Sequence, residues 1–322
     1  MNSYPLKFHP ILKERLWGGK KLNTVLNKNI SNDITGESWE VSTVTGDVST
    51  VSNGNLLGKT LQELIDNYPE DLLGKSVYQR FGKEFPILIK FIDAKLDLSI
   101  QLHPNDELAK ERHNSFGKTE MWYIMDADDD ANLIVGFNKD VTKEEYARSL
   151  KEDKLLELLN YEKVKEGDTF FINTGKIHAI GAGVMLAEIQ QTSDITYRVF
   201  DFNRRDKEGK LRELHTEQAL DAIDYQKKDD FKVYYEKAVN CVNGMVDCPY
   251  FNTKYLNLTQ DLKQDVTERD SFTIYMCVDG HASIENEGGM ASIKKGETLL
   301  IPANSTSINI LTSGAKLLEI TI

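Results

Sequence analysis

Cysteine is scarce in this sequence, with only Cys241, Cys248 and Cys277 among 322 residues. An odd count gives no disulfide framework, and no Cys-x-x-Cys pair offers a zinc knuckle. A metal site would have to use histidine, carboxylate or amide ligands. Long apolar runs are also missing, so no segment is expected to span a bilayer. The opening stretch, MNSYPLKFHP, lacks the apolar core of a signal peptide, which makes a cytoplasmic location the expectation. Positive charge is in deficit. The formal net charge is −12, a field that repels nucleic acid and anionic lipid, so neither is an expected partner. A phosphorylated ligand would need a local cluster of Lys and Arg.

What is present is ordinary for a soluble globular protein: 40% hydrophobic and 28% charged residues. The length favours a large domain plus a smaller one. Residues 5–55 read as short strands, including the alternating run Ser38 to Val44. Leu61, Leu64, Ile65, Tyr68 and Leu72 recur at helical spacing, interrupted or ended by Pro69. Phe85 to Ile100 returns to strand. Met121–Met125 and Leu133–Phe137 read as paired strands around an acidic tip at 126–131, which lacks the glycine and closing glutamate of an EF-hand. Residues 141–160 read as the clearest helix, with Thr142 and Glu145 as a capping box. A shorter helix is expected after His215, and strands from about Val233 to the end.

A repeat organises these elements. Lys165 to Asn173 (KEGDTFFIN) matches Lys294 to Pro302 (KKGETLLIP), and 122–128 (WYIMDAD) matches 274–280 (IYMCVDG). The expected fold is mainly β: two jelly-roll barrels, with a small helical insertion in the first. The expected division is residues 1–235, with helical segments near 60–80 and 141–160, and residues 236–322.

Gln101 and His103 are two apart at a strand end, so they share a face. Glu120 begins the next strand and His178 follows a turn after 168–173. Amide oxygen, two imidazoles and a carboxylate suit a borderline dication, zinc above all. Isolated histidines at strand ends are usually surface or hydrogen-bonded groups, which is the reading for His9, His113, His215 and His281. The repeat offers a control: Ser307 stands eleven residues after Gly296, as His178 does after Gly167, and Phe272 aligns with Glu120. The second copy thus lacks ligands. Glu188, Gln190 and Arg198 can face the same cavity, and Lys118 shares the face of Glu120. Arg198 and Lys118 are candidate phosphate or alkoxide partners, with surface ion pairs as the alternative.

These residues lie in motifs that resemble the type I mannose-6-phosphate isomerase family, most closely its shorter bacterial form. The motifs are LWGG (16–19), GESWEVS (36–42), SIQLHPND (99–106), GKTEMWY (117–123), GKIHAI (175–180), EIQQTSDITYR (188–198) and RELH (212–215), in family order. The resemblance implies a cupin fold whose second, C-terminal unit, residues 236–322, is metal-free. It implies a zinc-dependent aldose–ketose isomerase acting through an enediol, with one zinc ion per chain held by Gln101, His103, Glu120 and His178. Arg198 is then catalytic, and Lys118 and Glu188 line the active site. A monomer or weak homo-oligomer acting on a small sugar phosphate is expected. Glu188, a metal-bound water and a ligand histidine are all candidates for the general base. Lys118 is the first candidate for receiving the phosphate, with Lys90, Arg204 and Arg205 next. The rival readings are a cupin dioxygenase, which would favour iron, and a non-enzymatic sugar-binding cupin.

Overall fold

Three large sheets and a two-stranded one build the molecule, seen in a computed structural model that describes residues 3–206 and 208–322. A seven-stranded sheet centres on Ile87–Ala94, Val184–Gln191 and Glu120–Ala127, which pair side by side, and Thr169–Ile172 joins next to the last. A five-stranded sheet runs through Leu159–Lys163, Asn132–Phe137, His178–Ile180, Ile100–Leu102 and Tyr197–Phe200. The two pack face to face around Ile92, Trp122, Leu133, Val135, Ile180 and Leu186, forming the first jelly roll. An eight-stranded sheet forms the second around Leu256, Tyr275, Ile293, Ile308 and Leu317. Among the described residues no helix is long and apolar enough to cross a membrane.

The central strands are buried on both faces, which explains why FPILIKFI reads as a continuous apolar run. Their alternate residues serve two cores. Ile89, Phe91, Met121, Tyr123, Ala187 and Ile189 face the second barrel, meeting Phe272, Ile274 and Ile320. Lys90, Ile92, Glu120, Trp122, Leu186, Glu188 and Gln190 occupy the opposite parity, toward the interior of the first barrel. The site's polar residues therefore interrupt one face of strands that are otherwise apolar.

The internal repeat is visible in the backbone. Ile124 donates to the Asp168 carbonyl at 2.9 Å and accepts from Gly167 at 2.9 Å; Cys277 does the same with Glu297 at 2.9 Å and Gly296 at 2.8 Å. Both glycines have positive φ, +80° and +83°. This equivalence moves the sequence alignment by one residue. Thr273, not Phe272, stands at the place of Glu120; Phe272 lies on the opposite face, in the core between the barrels.

Two other expectations need correction. Glu120–Ala127 and Asn132–Phe137 do not pair; the acidic segment between them crosses from one sheet to the other, tied by ion pairs from Lys21 to Asp126 (2.7 Å) and Asp128 (2.8 Å). The helix expected over 141–160 spans only Lys143–Lys151. Asp153 adopts φ +56° and breaks it, a single 3-10 turn follows at Leu155–Leu158, and Leu159–Lys163 is strand. Thr142 caps that helix through the Glu145 amide, but the Glu145 carboxylate pairs with Lys139, so the box is half formed. Near 60–80 there are three short helices, Leu61–Asn67, Pro69–Leu73 and Lys75–Phe81. Pro69 starts the second of them, where its missing N–H costs nothing.

Candidate active site

Strand pairing brings the candidate ligands together. His178 lies opposite Gln101 in one sheet, and Glu120 lies opposite Gln190 in the other. The Nε2 atoms of His103 and His178 approach the two oxygens of Glu120 at 3.5 and 3.4 Å. All three side chains are buried. The Nδ1 of His103 lies 2.8 Å from the Ile195 carbonyl, and that of His178 lies 2.8 Å from the Lys176 carbonyl. A carbonyl can only accept, so each Nδ1 carries the proton and each Nε2 turns a lone pair inward.

Both Glu120 oxygens and His178 Nε2 are buried without a hydrogen bond. Lys118 compensates Glu120 Oε2, but His178 Nε2 and Glu120 Oε1 face each other as two acceptors with no donor between them, which is costly unless a cation sits there, so the donor set fits a bound metal. Burial pushes His178 down to about 4 and His103 well below its ordinary value, keeping both imidazoles in the neutral, ligating form. Burial raises Glu120 above the usual carboxylate range, against the pull of Lys118. A dication here would favour its ionised form.

Lys118 Nζ stands 3.2 Å from both His103 Nε2 and Glu120 Oε2, so it belongs to the ligand cluster rather than the cavity rim. Gln101 lines the same cavity; its Oε1 accepts from Ser99 at 3.2 Å and has a second lone pair. Glu188 accepts at both oxygens: Oε1 from Lys90 at 3.0 Å and Oε2 from Trp122 Nε1 at 2.8 Å. Burial opposes its charge, but Lys90 and Lys118 hold its carboxyl well below the ordinary range. Lys90 also donates to Gln190 at 2.5 Å. Arg198 lies opposite Gln101, with Nε on Ser99 Oγ at 3.3 Å and Nη1 on the Glu213 carbonyl at 2.9 Å. His215 clasps its backbone: its Nδ1 accepts from Arg198 N at 3.1 Å, and its own N–H donates to the Arg198 carbonyl at 2.8 Å.

Gln101, Lys118, His178, Glu188, Lys90 and Arg198 line a cavity of about 530 Å³, with His103 and Glu120 buried behind it. All three tryptophans of the chain, Trp17, Trp39 and Trp122, line it, with Lys13, Arg15, Glu37 and Arg212. Trp17, Trp39, Lys13, Arg15, Glu37 and Arg212 had not been singled out from the sequence, although LWGG, GESWEVS and RELH contain four of them. Gly36 shows why those motifs hold glycine: a Cβ there would lie 2.6 Å from the Trp17 ring. Arg204 and Arg205 do not line the cavity. Arg204 is spent on Asp201 and the Asp97 carbonyl, and Arg205 on the Gly209 carbonyl at 2.7 Å.

Comparison with known proteins gives a consistent set of relatives. Residues 6–135 match the family described as phosphomannose isomerase type I, catalytic domain, and residues 242–318 match the mannose-6-phosphate isomerase cupin domain. The chain is 37% identical to mannose-6-phosphate isomerase ManA of Bacillus subtilis over 94% of each chain. It is 33% identical to a mannose-6-phosphate isomerase of Streptococcus mutans over 92% of each. The crystal structure of the B. subtilis mannose 6-phosphate isomerase superposes with a TM-score of 0.89 at 31% identity, covering 99% of both chains. A phosphomannose isomerase from Salmonella typhimurium shares the fold at 18% identity, TM-score 0.81.

Proposed function

The chain belongs to the type I phosphomannose isomerase family, and from that premise we propose that it interconverts D-mannose 6-phosphate and D-fructose 6-phosphate with one zinc ion. The observation that carries the metal is the convergence of His103, Glu120 and His178, with His178 Nε2 and Glu120 Oε1 facing each other unpartnered. Gln101 completes the proposed ligand set. Zinc bound there would polarise the substrate's carbonyl and hydroxyl oxygens. Residues 1–235 are assigned the chemistry, and residues 236–322 a metal-free supporting barrel.

The reaction moves a proton from C2 to C1 of the open-chain sugar. The C2–H electrons become the C1=C2 bond of an enediol as the aldehyde oxygen gains a proton; collapse from O2 then delivers a proton to C1 and leaves the ketone. Arg198, tied at its backbone by His215 and at Nη1 by Glu213, presents a fixed positive charge beside Gln101, where the enediolate charge develops. Lys118 adds a second cation beside the ligand atoms. Glu188 anchors Lys90 and Trp122 and keeps a further lone pair on each oxygen, so it stays among the candidates for the base.

The test is a coupled isomerase assay on mannose 6-phosphate, with chelator and with zinc restored. Chelation should abolish turnover and leave the circular-dichroism spectrum folded. His178→Ala should lose both metal, by elemental analysis, and activity. Full metal content and activity in that variant would refute the ligand assignment. Oxygen uptake with bound iron would favour the dioxygenase reading.

A further inference from the structure

A dianionic substrate approaching a protein of net charge −12 needs a local surplus of positive charge. Six cationic side chains line the cavity. Four of them are matched one to one by carboxylates: Lys13 by Asp47, Arg15 by Glu37 (2.8 Å), Lys90 by Glu188 (3.0 Å) and Lys118 by Glu120 (3.2 Å). The remaining two, Arg198 and Arg212, stand at one end. Arg198 has no ion pair among the described residues. Arg212 shares a single carboxylate, Asp201, with Arg204. Three guanidinium groups thus gather around Asp201, with the exposed Glu213 nearby and the exposed Asp194 on the cavity wall.

The geometry also gives this end a direction. Arg198 lies opposite Gln101, and Gln101 opposite His178, so Arg198 adjoins the candidate ligands and whatever flanks its outer edge lies farther from them. The segment carrying Arg212 flanks the far edge of that strand, through the two hydrogen bonds between His215 and the Arg198 backbone. Arg212 follows directly on the bridge between Arg205 and Leu211. Its Nε and Nη2 are fixed on Asp201, the first at 2.7 Å, and Nη1 has no hydrogen bond among the described residues. Arg198 Nη2 is likewise unbonded.

We propose that Arg212 is the phosphate-recognising residue of this pocket, held in place by Asp201 as a positioning residue. This rests on the isomerase reading, which puts C1 and C2 at the metal ligands and the phosphate at the opposite end of an open-chain hexose. An oriented guanidinium suits a phosphate better than a lysine does.

The experiment compares kcat/KM for mannose 6-phosphate and for mannose, and Ki for inorganic phosphate, in the wild type and Arg212→Met. The phosphorylated sugar should lose about ten- to a hundredfold and the phosphate Ki should rise by a similar factor, while mannose stays near its wild-type value. An unchanged ratio and Ki, or an equal fall for both sugars, overturns the assignment. If Arg212→Met does not fold, Arg212→Gln, which keeps an N–H for Asp201, is judged by the same criteria. Failure of the wild type to turn over mannose 6-phosphate would instead refute the isomerase reading.

Discussion

At the scale of single residues, two of six histidines differ from the rest because a carbonyl holds each Nδ1 and leaves Nε2 facing a shared carboxylate. His113 and His215 have neutral structural partners, the Tyr197 hydroxyl and the Arg198 backbone. Strand parity was enough to group Gln101 with His103 and Lys118 with Glu120, since both pairs are local in sequence. It could not place Trp39 or Arg15, which reach the cavity through sheet order: Trp39 pairs with Lys90, about fifty residues away. Arg198 gives the sharpest test at this scale. Its guanidinium bonds Ser99 and Glu213 through different nitrogens, a geometry that one ammonium cannot reproduce. Arg198→Lys should lower kcat about ten- to a hundredfold with little change in KM, because the contact strengthens as charge develops. Steady-state kinetics showing only a raised KM would make Arg198 a ground-state binding residue.

At the scale of elements, the duplicated unit explains a row of polar side chains. Lys90, Glu188 and Trp122 are cross-strand neighbours, and so are Lys254, Glu319 and Tyr275 in the second barrel. Trp122 Nε1 donates to Glu188 at 2.8 Å, and the Tyr275 hydroxyl donates to Glu319 at 2.8 Å. The row recurs where metal ligands do not, so a lysine–carboxylate–aromatic contact is part of how this barrel packs. Glu188→Gln strands Lys90 as a buried, unpaired charge and should cost about 3–5 kcal/mol of stability. Glu319→Gln should cost less, because Lys254 and Arg269 reach solvent with side chains 32% and 20% exposed. Thermal melts and isomerase assays of both variants check this: only Glu188→Gln should also reduce activity. A larger loss of stability at Glu319, or inactivation from there, would contradict it. The repeat was legible in the sequence because a Gly-acid turn must recur wherever the same turn recurs. The split of 141–160 into helix, 3-10 turn and strand was not. Tyr146, Leu155, Leu158 and Leu159 are all buried in one cluster, so their spacing carried no mark of the break at Asp153.

At the scale of the whole molecule, the two barrels share a core. Leu6 of the N-terminal segment pairs with Leu300 of the C-terminal sheet, and the outward face of Ile87–Ala94 and Glu120–Ala127 packs with Phe272, Ile274, Met276, Leu318 and Ile320. One face of the seven-stranded sheet therefore looks into the cavity with the candidate ligands, and the other is supported by the second barrel. A barrel without ligands still acts on the site, since strands that hold Glu120 and Glu188 alternate into its core. Phe272 is the contact on which this can be tested: fully buried, it stacks on Phe85 with ring centroids 4.8 Å apart. Phe272→Ala removes a large side chain from the shared layer and should cost about 3–5 kcal/mol. Because the core is common, calorimetry should show one unfolding transition in the wild type and one, at lower temperature, in the variant, with the candidate metal site and the C-terminal barrel lost together. Two transitions, with only the C-terminal one shifted, would mean that the barrels fold independently and that the shared layer does not couple them.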